Sequence, residues 1–196
     1  MKMKMTSIVA LGVLAFSLSC STRPAADAGQ QQRVNADAAT LQDFQRRIDD
    51  YLDLRKKVDD GAPKLKETND PAKITEAQTA LAKRIQEGRV NARHGDIFTP
   101  EIQKLFRRLM YPELKGPDAA ETKQAIKDDA PAPGEIPFKV NASYPEGQPL
   151  PTVPPDLLGR LPKLPEDLEF RIIGKYMILR DVDANVIVDY MPNAIR

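Results

Sequence analysis

Residues 168–191, LEFRIIGKYMILRDVDANVIVDYM, alternate apolar and polar side chains between short turns, and this pattern predicts an antiparallel sheet. The turn at Gly174 and Lys175 has glycine first, which is typical of a type II′ hairpin and fixes the register of its strands. The predicted opposite pairs are Ile172 with Met177, Phe170 with Leu179 and Glu169 with Arg180. The sequence therefore predicts a small C-terminal β-meander over residues 166–196.

The second turn of the meander, residues 182–185, is interpreted as a four-residue loop between the last two strands. This loop length predicts two further opposite pairs, Val188 with Leu179 and Tyr190 with Met177. Both pairs extend the apolar face that the first hairpin already forms, and this agreement favours the four-residue loop over other lengths.

Acidic and amide side chains around this turn have the spacing of oxygen ligands in a calcium loop. The candidates are Asp181, Asp183, Asn185 and Asp189. A calcium loop that starts at Asp181 needs glycine at its sixth position and glutamate at its twelfth, but Val186 and Pro192 stand there. We interpret the stretch as a β-turn with Asn185 in the left-handed conformation, and we expect no metal and no other cofactor.

Helical periodicity dominates residues 35–129, where we predict an antiparallel helical bundle. The first helix has one apolar stripe, formed by Leu41, Phe44, Ile48, Tyr51 and Val58. Its other faces carry mainly Asp, Gln, Lys and Arg, so we expect the stripe to pack against a neighbouring helix.

A second helix is predicted to begin at Asp70 and Pro71, which are typical of an N-cap and a first helical turn. We expect it to end at His94, a basic residue just before a glycine. Its apolar stripe becomes small at Gly88 and Ala92, which predicts a close approach to the first helix there.

A third helix is predicted to begin at Thr99 and Pro100, and a short fourth helix after Gly116 and Pro117. The third is the most apolar, with Ile102, Leu105, Phe106, Leu109 and Met110 on one side. We expect this side to cover the pair formed by the first two helices.

Residues 130–165 contain ten of the 17 prolines of the chain, which argues against helix and favours an extended connection. Within it, Ile136, Phe138 and Val140 alternate with other residues, a pattern that predicts a possible edge strand.

Residues 1–19 have the layout of a bacterial signal peptide, with two lysines ahead of an apolar run. The only cysteine, Cys20, follows this run, where a bacterial lipoprotein is cleaved and acylated. Ser17 departs from the usual lipoprotein signal, which has leucine there. Lipidation at Cys20 would make the membrane a partner through an N-terminal lipid.

The alternative to lipidation is export as a soluble protein after cleavage near Ala26 or Ala28. In either case we expect residues 20–34 to be a flexible tether, because they are small and polar and lack periodicity. The predicted location is the periplasmic side of a bacterial membrane, or the periplasm or medium for a soluble form.

The charge pattern excludes one class of partner. The 29 basic and 28 acidic residues nearly cancel, so nucleic acid is not expected as a partner. Arg84, Arg89 and Arg93 are candidate binding residues, because they could present a positive face to lipid phosphates or to an acidic protein. The alternative is that they form the solvated side of an amphipathic helix.

Two segments carry a resemblance to known proteins. Residues 81–109, LAKRIQEGRVNARHGDIFTPEIQKLFRRL, and 157–195, LLGRLPKLPEDLEFRIIGKYMILRDVDANVIVDYMPNAI, resemble a family of uncharacterised bacterial secreted or lipoprotein-like proteins. The C-terminal strands are also similar to the last strands of small periplasmic proteins of the nickel and cobalt homeostasis group. The resemblance implies export and modular construction, and it brings no assigned catalytic residue.

The sequence favours a non-catalytic interaction or structural protein of the cell envelope, with another envelope protein as its possible partner. Two alternatives remain, a hydrolase of envelope polymers with paired carboxylates and a weak periplasmic binder of divalent cations. A deep cleft with two facing carboxylates would indicate the hydrolase. A shallow apolar groove or an exposed strand edge would indicate a binding protein.

The anchoring prediction can be tested by replacing Cys20 with alanine, which removes the proposed site of acylation. We expect Cys20→Ala to move the protein from the membrane fraction to the soluble fraction and to abolish labelling by a fatty acid. Ser21→Ala is the matched control and should leave both readouts unchanged. Full membrane retention of Cys20→Ala, together with an unlabelled parent chain, would contradict the prediction.

Overall fold

The computed structural model describes residues 25–60 and 68–195, and it confirms the α+β class. Helices form the N-terminal part, and a three-stranded antiparallel sheet in the order β1-β2-β3 forms the C-terminal part. The elements are α1 (Ala25–Asp60), α2 (Pro71–Gly88), α3 (Pro100–Lys115), α4 (Ala119–Asp128), α5 (Pro155–Leu158), β1 (Leu168–Ile173), β2 (Tyr176–Asp181) and β3 (Val186–Met191).

The predicted starts of α2 and α3 are confirmed. The carboxylate of Asp70 accepts the N–H of Ala72 at 3.0 Å, and α2 begins at the next residue, Pro71. In the same way, the hydroxyl of Thr99 accepts the N–H of Ile102, and α3 begins at a proline. Local capping chemistry is therefore sufficient to place both helix starts.

Helix α1 begins at Ala25, so the prediction of a flexible tether over residues 20–34 is wrong from Ala25 onward. The segment is rich in alanine and glutamine, which favour helix even where no apolar stripe marks it. The predicted signal peptide, residues 1–19, and the predicted acylation site, Cys20, lie outside the described residues. Within the described residues, no helix combines the length and apolar character needed to cross a membrane.

Helix α2 ends at Gly88, six residues before the predicted end at His94. The N–H of Arg89 closes the last turn on Ile85, and the chain then runs through a loop, residues 89–99. Ala92 is therefore outside the helix, and the ring of His94 stacks on Tyr190 at 4.2 Å.

The predicted close approach of the first two helices is confirmed at Gly88. A Cβ atom built on Gly88 would lie 3.2 Å from Cγ1 of Val58 and 3.5 Å from Cδ2 of Leu54. Because both neighbours belong to α1, a larger side chain at the end of α2 would push the two helices apart.

The main core lies between the helices and one face of the sheet. Phe44 of α1 and Phe106 of α3 meet edge to face, with ring centroids 5.0 Å apart. Phe98 of the loop and Phe170 of β1 complete the cluster, and Phe170 lies 6.3 Å from Phe44. An aromatic cluster therefore contributes to the docking of the sheet on the helical part.

The proline-rich segment covers the opposite face of the sheet. Ile136 and Tyr144 are buried there against Ile173, Ile178 and Ile187, one from each strand. The segment predicted as a connection is thus the second cover of the sheet, so that both faces are packed.

Two details of the predicted connection, residues 130–165, differ from expectation. Pro155–Leu158 forms one helical turn, because proline fits the first position of a helix even where it is excluded from the interior. The predicted edge strand is reduced to a single bridge between Ser143 and Val186, next to hydrogen bonds of Asn141 and Ala142 with Ile187. The segment therefore pairs with β3 after the alternating residues, not along them.

The register of the first hairpin is confirmed. Ile172 lies opposite Met177, Phe170 opposite Leu179 and Glu169 opposite Arg180. Gly174 has a φ of 58°, a conformation that glycine adopts without strain at the first position of this turn.

The register of the second hairpin is confirmed only next to its loop. A β-bulge follows the pairs of Asp181 with Val186 and Arg180 with Ile187. The predicted pairs of Val188 with Leu179 and Tyr190 with Met177 are wrong, since Leu179 lies opposite Asp189 and Met177 opposite Met191. The bulge makes Val188 the extra residue, and the side chain of Asp189 reaches the helical side of the sheet.

Asn185 has a φ of 54°, which confirms the predicted left-handed conformation. Substitutions at this residue therefore test the predicted turn. Its amide also accepts a hydrogen bond from Arg180 and donates one to Tyr144. Asn185→Gly and Asn185→Val both lose these bonds, but only valine resists the left-handed conformation. We expect the valine variant to be less stable than the glycine variant by about 1 to 2 kcal/mol in urea unfolding.

Since we interpret residues 182–185 as a turn without a cation site, millimolar calcium should leave the melting temperatures of the parent chain and of both Asn185 variants unchanged. Equal stability of the two variants, or a calcium-dependent stabilisation that Asp181→Ala removes, would contradict this interpretation of the loop.

Candidate functional site

The carboxylate of Asp189 holds the loop of residues 89–99 against β3. Asp189 is fully buried and accepts the backbone N–H groups of Ile97 at 2.9 Å, Phe98 at 2.8 Å and Gly95 at 3.1 Å. The N–H of Tyr190 adds a fourth donor at 2.8 Å. A buried carboxylate is tolerated because these donors replace its lost hydration.

A second buried carboxylate, Asp181, ties the end of β2 to α1. It accepts hydrogen bonds from the hydroxyl of Tyr51 at 2.7 Å and from Nε of Arg55 at 2.8 Å. Arg55 also contacts Asp167 and Asp183. Burial alone would lower the pKa of Arg55, but the neighbouring charges, Asp181 first, outweigh it and raise that pKa.

The acidic residues that suggested a calcium loop are engaged in separate contacts. Asp181 and Asp189 use their oxygens for the donors above, Asp183 pairs with Arg55, and Asn185 bonds Arg180 and Tyr144. Within residues 25–60 and 68–195, no group of three or more His, Cys, Asp or Glu side chains is placed to hold a metal ion. These side chains bind other parts of the protein, and their oxygens do not converge.

A small polar pocket lies between α1 and the loop of residues 89–99. This α1 pocket has a volume of about 210 Å³. Its polar lining consists of Arg46, Arg47, Asp50 and Tyr51 of α1 together with Arg89 and Asp96 of the loop. Three guanidinium groups thus meet two carboxylates around one pocket.

Of the three arginines that the sequence singled out, only Arg89 lines this pocket. Arg84 lies 3.8 Å from Asp59, and the backbone N–H of Arg93 donates to Asp96. The sequence analysis did not single out Arg46 and Arg47, because adjacent basic residues beside an apolar stripe are typical of a solvated helix face. Their meeting with Arg89 depends on the packing of the loop, which no local pattern encodes.

A larger, mainly apolar groove of about 490 Å³ runs along β1. This β1 groove is lined by Val153, Leu158, Leu161, Leu164, Leu168 and Phe170. Its volume lies in the range of roughly 300 to 1,000 Å³ that is typical of ligand sites, whereas the α1 pocket is smaller. Leu158 is 48% exposed, so part of the apolar wall faces solvent.

Some charged side chains at the β1 groove form ion pairs, and one does not. Burial alone would raise the pKa of Glu169, but hydrogen bonds from Arg171 and Arg180 outweigh it and hold that pKa below its usual value. Lys163 is exposed and, among the described residues, has no hydrogen bond or ion pair. The rim of the groove therefore carries one unmatched positive charge.

No protein-family model matches the chain, and neither a curated protein nor a solved structure is significantly similar to it. The resemblance of residues 81–109 and 157–195 to bacterial secreted proteins therefore remains a prediction. The functional interpretation depends on the geometry of the α1 pocket and the β1 groove.

The contact between Tyr51 and Asp181 can be tested by Tyr51→Phe, which removes one of the donors to a buried carboxylate. We expect the free energy of unfolding at neutral pH to fall by about 1 to 3 kcal/mol. Tyr111→Phe is the matched control, because Tyr111 is 59% exposed, and it should leave the stability unchanged.

The same pair of variants predicts a difference at alkaline pH. Burial, and next the charge of Asp181, raise the pKa of Tyr51 far above its ordinary value of 10.0. Once the pH exceeds the ordinary pKa of 10.0, the unfolded chain loses the Tyr51 proton while the folded chain keeps it. Tyr51 therefore makes the free energy of unfolding decrease as the pH rises. Urea unfolding should show a shallower alkaline decline for Tyr51→Phe than for the parent chain or Tyr111→Phe. Equal declines in all three proteins would contradict the assigned contact.

Proposed function

We propose that this protein is a non-catalytic interaction protein of the bacterial cell envelope, and that it binds an apolar peptide segment of another envelope protein in the β1 groove. The observation that carries the proposal is the apolar groove itself, which is open to solvent at Leu158. Burial of an apolar segment against such a wall is favourable in proportion to the area removed from water.

The charge on the rim specifies the chemistry of the partner further. Lys163 forms no ion pair with any of the described residues, whereas Glu169 is matched by Arg171 and Arg180. A partner segment with a carboxylate beside its apolar residues would pair with Lys163 when it fills the groove. Apolar contact supplies the affinity in this arrangement, and the ion pair selects the orientation of the segment.

The fully buried carboxylates give the hydrolase alternative little support. Asp181 and Asp189 are each surrounded by donors from the protein and hold loops or helices in place. A glycosidase needs two carboxyl groups that face a substrate across a cleft. Neither the β1 groove nor the α1 pocket presents two such groups free of arginine or backbone donors.

Acylation at Cys20 would place the membrane anchor close to the start of α1 at Ala25. Helix α1 has 36 residues, which corresponds to roughly 54 Å at the usual rise per residue. Its first buried residue among those described is Phe44. In this arrangement the N-terminal part of α1 serves as a spacer that holds the body away from the lipid surface.

The proposal can be tested with a photo-reactive amino acid at Leu158 in cells that express the full chain. Val90, which is 78% exposed and lies in the loop just after α2, is the matched control position. We expect crosslinks to an envelope protein from position 158 and none from position 90, and we expect mass spectrometry to find an apolar segment with an acidic residue. Lys163→Glu should weaken binding of that synthetic segment, and replacing its acidic residue by lysine should restore binding.

Three outcomes would contradict the proposal. Crosslinks from position 158 only to a second copy of the chain would identify the groove as a self-association surface. Crosslinks only to lipid would identify a lipid site. Equal yields of the same crosslinked proteins from positions 158 and 90 would show that these proteins contact the groove no more than any other exposed apolar residue.

A further inference from the structure

We propose that the α1 pocket binds a phosphate group, either as inorganic phosphate or as the phosphate of a lipid headgroup. The pocket brings together Arg46, Arg47 and Arg89 from two separate parts of the chain. Guanidinium groups bind phosphate through several directed hydrogen bonds, so a cluster of three is a suitable receptor for this anion.

Arg89 supplies the central argument, because it is a largely buried cation that forms no ion pair with a carboxylate of the described residues. Its terminal nitrogens donate to two neutral oxygens, the carbonyl of Val188 at 3.1 and 3.2 Å and the amide of Asn141 at 2.8 Å. Its guanidinium also lies 5.1 Å from the ring centroid of Tyr51. Burial lowers the pKa of Arg89, and the nearby charges of Asp189 and Asp96 oppose this shift only in part. A bound anion would further offset the unfavourable desolvation of the positive charge.

Each arginine of the pocket keeps a nitrogen for a ligand. Arg46 donates to Asp43 and Asp50 through its terminal nitrogens, and Arg47 donates to Asp43 and to the carbonyl of Asp96 through Nε and Nη1. Within the described part of the chain, Nε of Arg46, Nη2 of Arg47 and Nε of Arg89 have no hydrogen-bond partner. The three side chains therefore retain one donor nitrogen each.

The size and shape of the pocket favour phosphate over larger or flatter anions. Its volume of about 210 Å³ is below the range of roughly 300 to 1,000 Å³ typical of drug-sized ligands. A phosphate group offers three or four oxygens in different directions, whereas a carboxylate offers two oxygens in one plane. Three arginines from two segments can approach the oxygens of a phosphate from different directions, so they match phosphate better than carboxylate.

This inference is independent of the proposed function, because the α1 pocket and the β1 groove share no lining residue. Phosphate binding could therefore fail while peptide binding in the groove succeeds, and the reverse is also possible.

The test is a calorimetric titration of the full chain with inorganic phosphate, with acetate and chloride at matched ionic strength as comparisons. We expect saturable binding of phosphate, together with a melting temperature that rises with phosphate concentration. We expect acetate to bind at least about tenfold more weakly, since it can engage fewer of the arginines. Chloride should produce no saturable heat.

Two variants assign the binding to the pocket. Arg89→Lys keeps the charge but loses the planar set of donors, and we expect phosphate affinity to fall about tenfold. Arg46→Gln changes only a rim residue that is 59% exposed, so it should fold normally and weaken phosphate binding about two- to fivefold. Arg108→Gln is its matched control, because Arg108 is 51% exposed and also pairs with an aspartate of α1 but lies outside the pocket.

The source of the phosphate is distinguished by vesicles of zwitterionic lipid with and without phosphatidic acid. Arg46-dependent binding to the phosphatidic acid vesicles supports a headgroup as ligand, and binding of inorganic phosphate without vesicle binding supports a free ion. The proposal is overturned if phosphate and chloride have equal effects, if acetate binds as tightly as phosphate, or if Arg46→Gln and Arg108→Gln have the same affinity as the parent chain. If Arg89→Lys does not fold, the comparison of Arg46→Gln with Arg108→Gln still decides the question.

Discussion

The buried carboxylate of Asp189 is the interaction on which the arrangement of sheet and helices depends. Four backbone N–H groups surround it, three of them from the loop of residues 89–99. Without these donors the buried charge would be strongly unfavourable, and without the carboxylate the N–H groups of Ile97 and Phe98 would be buried without partners. The bulge in β3 brings this side chain to the loop, and the side chain holds the path of the loop that leads into α3.

A second set of contacts fixes α1 against the same sheet. Asp181 receives hydrogen bonds from Tyr51 and Arg55, one turn apart on α1, and the aromatic cluster around Phe44 and Phe170 adds apolar packing. Asp189 thus positions the loop, and Asp181 positions α1. The α1 pocket lies between these two elements, so its arginines are held by the contacts that hold the fold together.

The sequence predicts the features whose causes are local. Gly174 sets the register of the first hairpin, Asp70 and Thr99 set two helix starts, and Asn185 marks the left-handed turn residue. The failures have distant causes. The loop after α2 depends on a carboxylate more than 90 residues away, and the bulge at Val188 lets that carboxylate reach the loop. For the candidate site, the sequence indicated Arg89 as one of three basic residues, but the partners Arg46 and Arg47 become neighbours only through tertiary packing.

The acidic residues of the last hairpin illustrate why spacing alone is a weak guide to chemistry. In a calcium loop the oxygens converge on one ion because glycine bends the backbone around it. Here Val186 begins a strand. The alternation of side chains along the strand, together with the bulge, places successive acidic side chains in different surroundings. Asp183 lies in solvent beside Arg55, while Asp181 contacts α1 and Asp189 contacts the loop of residues 89–99. Because a strand separates the oxygens that a calcium loop would bring together, these residues stabilise the docking of the sheet on the helical part of the chain.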